Sequence, residues 1–134
     1  MSSIPAGDDV LDPDEPVYDV RKVAELLHLP VTKVLQQLRD GHLVAVRRDG
    51  ALVIPRAFFT DDGRVVKLLP GLRAVLRDGG FHATEIVRWL FTADPSLELT
   101  RDGARETISN ARPVDALQAH QAREILRRAQ ALAY

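Results

Sequence analysis

The chain has 134 residues, room for one average domain or two very small ones. Its 18 Lys and Arg against 19 Asp and Glu leave a net charge of −1, which excludes a histone-like polycation and an acidic activation segment as whole-chain descriptions. The absence of cysteine excludes disulfides, thiolate metal sites and thiol nucleophiles, while 46% hydrophobic residues suffice for a packed core.

The near-balance hides segregation. Residues 1–16 carry Asp8, Asp9, Asp12, Asp14 and Glu15 with no base, a net −5. Pro5, Pro13, Pro16 and Gly7 interrupt any helix or strand, so this stretch is expected to be a disordered, loosely attached acidic tail. It has neither the basic start nor the apolar run of a signal peptide. Residues 17–60 carry seven bases against four acids, a net +3, and residues 61–134 carry eleven against ten. Arginine outnumbers lysine 15 to 3, which suits phosphate recognition because the guanidinium fork grips oxyanions bidentately.

Asp19 is placed to cap a helix over VRKVAELL, whose Val20, Val23, Ala24 and Leu27 recur on one face. Pro30 suits the first position of a second helix, where its missing N–H costs nothing. There Val31, Val34, Leu35 and Leu38 form an apolar stripe, and Thr32, Lys33, Gln36, Gln37 and Arg39 face away from it. Gly41 stops this helix. LVAVR and ALVIP, joined around Arg48-Asp49-Gly50, read as a hairpin. RAFF begins a short helix after Pro55.

Helix, tight turn, helix and two-stranded wing is a layout that binds DNA. The run Tyr18–Leu27, then Val34 through Gly41-His42-Leu43-Val44-Ala45-Val46-Arg47 and Ile54-Pro55-Arg56, resembles winged helices of the excisionase/MerR type. The chain from Ser3 to Tyr134 also resembles a family of small mycobacterial winged-helix DNA-binding proteins of the serine/threonine kinase substrate type. The resemblance implies double-stranded DNA as partner, a kinase as a second partner, and a cytoplasmic, nucleoid-associated protein that is either a sequence-specific transcription regulator or a nucleoid-type DNA binder. In this reading helix 30–40 enters the major groove. Thr32, Lys33, Gln36 and Gln37 face base edges or nearby phosphates, and Arg47, Arg48 and Arg56 hold the backbone. Related wings carry further bases on the second strand, where this chain reads Ala51-Leu52-Val53, so modest affinity is expected. Ser2 and Ser3, the hydroxyls of the acidic segment, are the candidate phosphorylation sites.

Residues 61–134 are expected to form a helical C-terminal domain, making the whole fold mainly α. Leu68–Asp78 reads as a helix ended by Gly79-Gly80, and Ala83–Phe91 as another, capped by His82 or Thr84. Ile86, Val87, Trp89 and Leu90 read as core. SLELTRDGARETI reads as a loop or a small hairpin about Asp102-Gly103. Pro113 begins one helix, or two with a break near His120, with Ile125, Leu126, Ala129 and Leu132 as the apolar stripe of its second half. Arg-Asp-Gly occurs four times, at 39–41, 48–50, 77–79 and 101–103, always where the chain is expected to turn.

Trp89-Leu90, Asp94-Pro95-Ser96-Leu97 and Arg112–Leu117 resemble a helical domain that comes after the DNA-binding part of some antitoxins. That resemblance implies the alternative function, a protein-interaction module binding a partner through 61–134, and the same surface is the candidate for a homodimer. No phosphate loop, nucleophile elbow or zinc spacing is present, and the histidines at 28, 42, 82 and 120 are too far apart for a local motif. No catalytic residue, metal ligand, cofactor or membrane span is therefore expected, and the chain reads as a binding protein and not an enzyme.

Overall fold

The structure, a computed structural model, describes residues 6–66, 69–101, 106–108, 110–118 and 122–133. The expected helix pair forms first. Asp19 accepts a hydrogen bond from the Lys22 backbone N at 2.7 Å and opens α1 (Val20–Leu27). His28, with φ 56°, ends it in the left-handed conformation. Pro30 is extended and stands just before α2 (Val31–Asp40), which Gly41 closes at φ 83°.

The wing comes next in the chain. Asp49 and Gly50 both adopt positive φ, 52° and 80°, as a tight two-residue hairpin requires. They join β3 (Ala45–Arg48) to β4 (Ala51–Pro55). A 3-10 turn over Arg56–Phe58 leads out of β4.

The expected two-stranded wing is the centre of a four-stranded sheet, in the order β1-β3-β4-β2. β2 (Val17–Asp19) pairs antiparallel with β4. β1 (Ala6–Asp8) pairs parallel with β3, Ala6 opposite Ala45 and Asp8 opposite Arg47. Residues 6–16 are thus not the loose tail that their prolines and charge suggest. The physical reason is the edge of β3. Ala45 and Val46 are fully buried, and their outer backbone groups would lack partners without β1. Behind β1, Asp12 and Glu15 close a backbone turn, Leu11 joins the core, and the Asp9 and Asp12 side chains cap nearby backbone N–H groups.

The C-terminal half builds onto this sheet. α3 (Leu69–Asp78) and α4 (Ala83–Phe91) form as expected. The Glu85 carboxylate accepts from the His82 backbone N, which caps the start of α4. Thr84 has a different use: its Oγ1 accepts from the Asp8 N at 2.9 Å and ties α4 to β1. Gly7 makes this approach feasible, because a Cβ there would stand 3.0 Å from the Thr84 backbone.

β5 (Leu99–Arg101) and β6 (Glu106–Ile108) pair antiparallel around Asp102-Gly103, which lies outside the described residues. The last segment divides into α5 (Pro113–Gln118) and α6 (Ala122–Ala133). α6 packs on α3, with Ile125 and Ala129 fully buried. Leu132 departs from the expected stripe and is 50% exposed. One apolar cluster runs from Leu11 and Val23 through Ile54 and Phe58 to Leu90 and Ile125. Phe58 meets Phe91 edge-on at 5.6 Å, so the winged helix and the later helices share a core.

Candidate nucleic-acid interface

α2 is held by one face. Val34 and Leu38 are buried, and the α1–α2 turn sets the crossing of the two helices. Leu35 is partly buried beside Val34 and Leu38, and most of the remaining surface is open. Thr32, Lys33, Gln36 and Arg39 are exposed and Gln37 is half-buried. Val31, expected on the buried stripe, is 40% exposed and lies at the edge of a depression shared with Arg21 and Glu25 of α1 and with His28, which ends that helix.

The first turn of α2 contains no acid, and no side chain caps it. Its free N–H groups and helix dipole therefore leave the exposed end electropositive, which Lys33 reinforces. Farther along, Gln36 donates from Nε2 to Asp40 at 2.9 Å. Gln36 is thus aligned along the helix, with its carbonyl oxygen still available as an acceptor.

The three candidate phosphate-holding arginines fall in three different environments. Arg47 is exposed on β3 and has no carboxylate partner among the described residues. Arg48, the next residue, points to the opposite side as strand geometry demands. There it donates from Nε and Nη2 to the two Asp9 carboxylate oxygens, at 2.7 and 3.2 Å. It also donates to the Asp12 and Glu15 carbonyls, at 3.2 and 3.3 Å. The two side chains are 18% and 29% exposed. The Arg48 hydrogen bonds hold the Asp9 carboxyl below its ordinary range, and Asp9 raises the Arg48 guanidinium in turn. Arg48 therefore fastens the acidic N-terminal segment to the wing.

Arg56 is exposed but stands beyond the far end of β4. Leu52 is the β4 residue opposite Arg47, so four strand residues, roughly 13 Å, separate the two positions. The structure brings Thr32, Lys33 and Gln36 onto one surface. Arg47 projects from the wing, Arg48 is engaged internally, and Arg56 stands apart. Ser2 and Ser3 lie outside the described residues.

Sequence reasoning missed Arg21, which is exposed in the first turn of α1 and shares the Val31 depression. Its signal was a base off the apolar face of α1. Among the described residues no group of three or more His, Asp or Glu is arranged to hold a metal, and no helix is long and apolar enough to cross a membrane.

The chain matches two family models, "DNA-binding protein Rv2175c, wHTH domain" over residues 3–59 and "Rv2175c C-terminal domain of unknown function" over residues 66–133. It is 71% identical over 134 residues to the DNA-binding protein Rv2175c of Mycobacterium tuberculosis (strain ATCC 25618 / H37Rv), spanning 100% of this chain and 92% of that protein. The fold is similar to the NMR structure of Rv2175c, with a TM-score of 0.91 at 71% identity over 99% of this chain and 91% of that one. The chain belongs to the Rv2175c family, a winged helix-turn-helix domain of DNA-binding type joined to a C-terminal domain, and this is not a family of enzymes.

Proposed function

We propose that this protein binds double-stranded DNA as a transcription regulator or nucleoid-type protein, with α2 in the major groove. The observation that carries the reading is the open face of α2: Thr32 and Lys33 exposed in its uncapped, acid-free first turn and Gln36 exposed one turn on, with Arg47 exposed on the hairpin that follows. Gln36 and Gln37 suit adenine edges, and Thr32 and Lys33 suit bases or the adjoining phosphates. Arg47 and Arg21 take backbone phosphates and set register without reading sequence. Arg56 acts on the backbone only if the duplex extends past the far end of β4. Arg48 serves the fold. The relative of similar sequence is itself named a DNA-binding protein.

A serine/threonine kinase acting on Ser2 or Ser3 fits the same picture, since each phosphate adds about −1.5 to −2 charge upstream of β1. The antitoxin-like alternative loses support from the use of its residues inside the molecule. Asp94 and Ser96 hold Arg128, and Arg112 holds Asp115.

The test is fluorescence anisotropy of a labelled duplex across a salt series. Binding should weaken with salt by about 0.9 log units per phosphate contact for each log unit of salt. The double variant Lys33→Glu, Arg47→Glu should lose at least tenfold in affinity, with an unchanged melting temperature. A folded double variant that binds like the parent chain would overturn the proposal. Selection from random DNA then separates the two forms of the reading, a common motif marking a sequence-specific regulator and its absence a nucleoid-type binder.

A further inference from the structure

The C-terminal end of α2 meets α3 at one unusual contact. The Arg73 guanidinium lies directly on the backbone of Gly41, the residue that closes α2. A Cβ at position 41 would come within 2.1 Å of Arg73 Nη1 and displace the guanidinium, and the φ of +83° favours glycine there in any case. Arg77 stands one turn further along α3, on the same face. The two arginines, with His42, Asp40 and Asp78, line an open depression of about 480 Å³.

Neither guanidinium has a carboxylate partner or a side-chain hydrogen bond among the described residues. Asp40 receives Gln36, and Asp78 is in no ion pair among those residues. Burial pushes the Arg73 pKa down, and repulsion from Arg77 pushes it further the same way. Two like charges packed together, one of them half-buried and both unpaired, weaken the fold and gain no internal contact in return. Elsewhere in this half of the molecule, half-buried arginines are paired: Arg112 with Glu15 and Asp115, Arg128 with Asp94 and Glu124. Arg73 and Arg77 therefore stand ready for an anion from outside.

Their place identifies the anion. Lys33 and Gly41 are eight residues apart, so roughly 12 Å of helix separates the electropositive start of α2 from the Arg73 contact. That is about the width of the B-DNA major groove. A helix inserted between the two groove walls would bring its start near one phosphate strand and its Gly41 end near the other. Asp40 and Asp78 at the rim reduce the attraction for a free small anion. A duplex already held by α2 presents its phosphates at high effective concentration and is much less affected by that rim.

Resting on the reading of α2 as the groove helix, we infer that Arg73 and Arg77 are DNA-binding residues supplied by the C-terminal half, contacting backbone phosphates on the groove wall opposite Lys33. The winged helix alone is then an incomplete DNA-binding surface.

The experiment uses the full chain and the same labelled duplex and salt series. Arg73→Gln, Arg77→Gln should bind about tenfold more weakly near 0.1 M salt, and its salt slope should fall by roughly 0.9 for each phosphate that the arginines had neutralised. Its melting temperature should be equal to or above that of the parent chain, because the substitution relieves an unpaired, half-buried charge. Arg73→Lys, Arg77→Lys should keep most of the slope. Should the Gln pair also lower the melting temperature, Arg77→Gln alone decides, since exposed Arg77 takes no part in holding the fold. An unchanged slope for Arg77→Gln would then overturn the inference. A Gln pair that matches the parent in affinity and slope, while Lys33→Glu, Arg47→Glu binds weakly, overturns the inference alone. Indifference to both pairs overturns the DNA-binding reading as well.

Discussion

The arginines of the winged helix and those of the C-terminal half are used in opposite ways. Arg21, Arg39 and Arg47 are exposed with no carboxylate partner among the described residues. Arg112 and Arg128 each hold two carboxylates, and Arg112 also lies 5.2 Å from the centre of the Phe91 ring. Arg48 belongs to the first region by sequence and to the second by use. Arg73 belongs to the second by sequence and, on our inference, to the first by use. Charge counts along the chain therefore locate the candidate surface only approximately. What matters is whether a guanidinium finds an acid inside the fold.

Four changes would break or sharpen this contrast. The largest effect is expected at Arg112. Arg112→Ala removes a cation–π contact and leaves Glu15, whose side chain is only 11% exposed, without its partner. Chemical denaturation should show a loss of roughly 2–3 kcal/mol, below the fully buried value because Arg112 is partly exposed. DNA affinity measured well below the melting temperature should be unaffected. If affinity fell with stability intact, Arg112 would belong to the binding surface.

Next is Arg128→Gln, which releases Asp94 and the Ser96 carbonyl from α6 and leaves Glu124 with Arg127 as its remaining partner. A thermal melt should fall by a few degrees, again without change in DNA binding. No change in the melt would mean that this network is solvated and idle.

A smaller effect is expected from Asp9→Asn, which removes the charge holding Arg48. Its cost in stability should be no more than about 1 kcal/mol, because the pair is partly solvated. A freed Arg48 and a less negative N-terminal segment should raise DNA affinity by a few-fold at low salt. Weaker binding in this variant would mean that the clamp itself shapes the wing.

The smallest effect is a pH dependence. Arg48 hydrogen bonding lowers Asp9, backbone and side-chain bonds from Ser96 lower Asp94, and Arg128 lowers Glu124. Depressed carboxyls in the folded state mean that the unfolded chain takes up protons first as the pH falls. Their contribution is complete above the ordinary carboxylate range and disappears as the pH drops through about 4 and below. Urea midpoints should decline over that interval, and the decline should be shallower in Arg48→Gln, Arg128→Gln. An equal decline would assign the acid sensitivity to other groups.

The elements read correctly from the sequence are those whose causes are local. Asp19 caps the helix that begins one residue later, Gly41 closes the helix before it, and Asp49-Gly50 turns the hairpin between two β-prone runs. The outward face of α2 comes from a 3.6-residue period, so Lys33 and Gln36 are visible as candidates in the sequence itself. Val31 and Leu132 sit at helix ends where the apolar period continues but no neighbour covers it, so periodicity overstates their burial.

Sequence by itself thus determined the winged helix, its exposed helix face and the helical character of the C-terminal half, because caps, turns and periodicity act over a few residues. Tertiary structure alone decided that an acidic, proline-broken segment becomes a strand, since only the bare edge of β3 gives Ala6–Asp8 a reason to extend. It also decided which arginines are free. The partners of Arg48, 39 residues away at Asp9, and of Arg112, 97 residues away at Glu15, are chosen by packing that no local rule encodes. Opposite charges attract wherever they meet; what brings these charges together is the shared core, which forms only when the whole chain is folded.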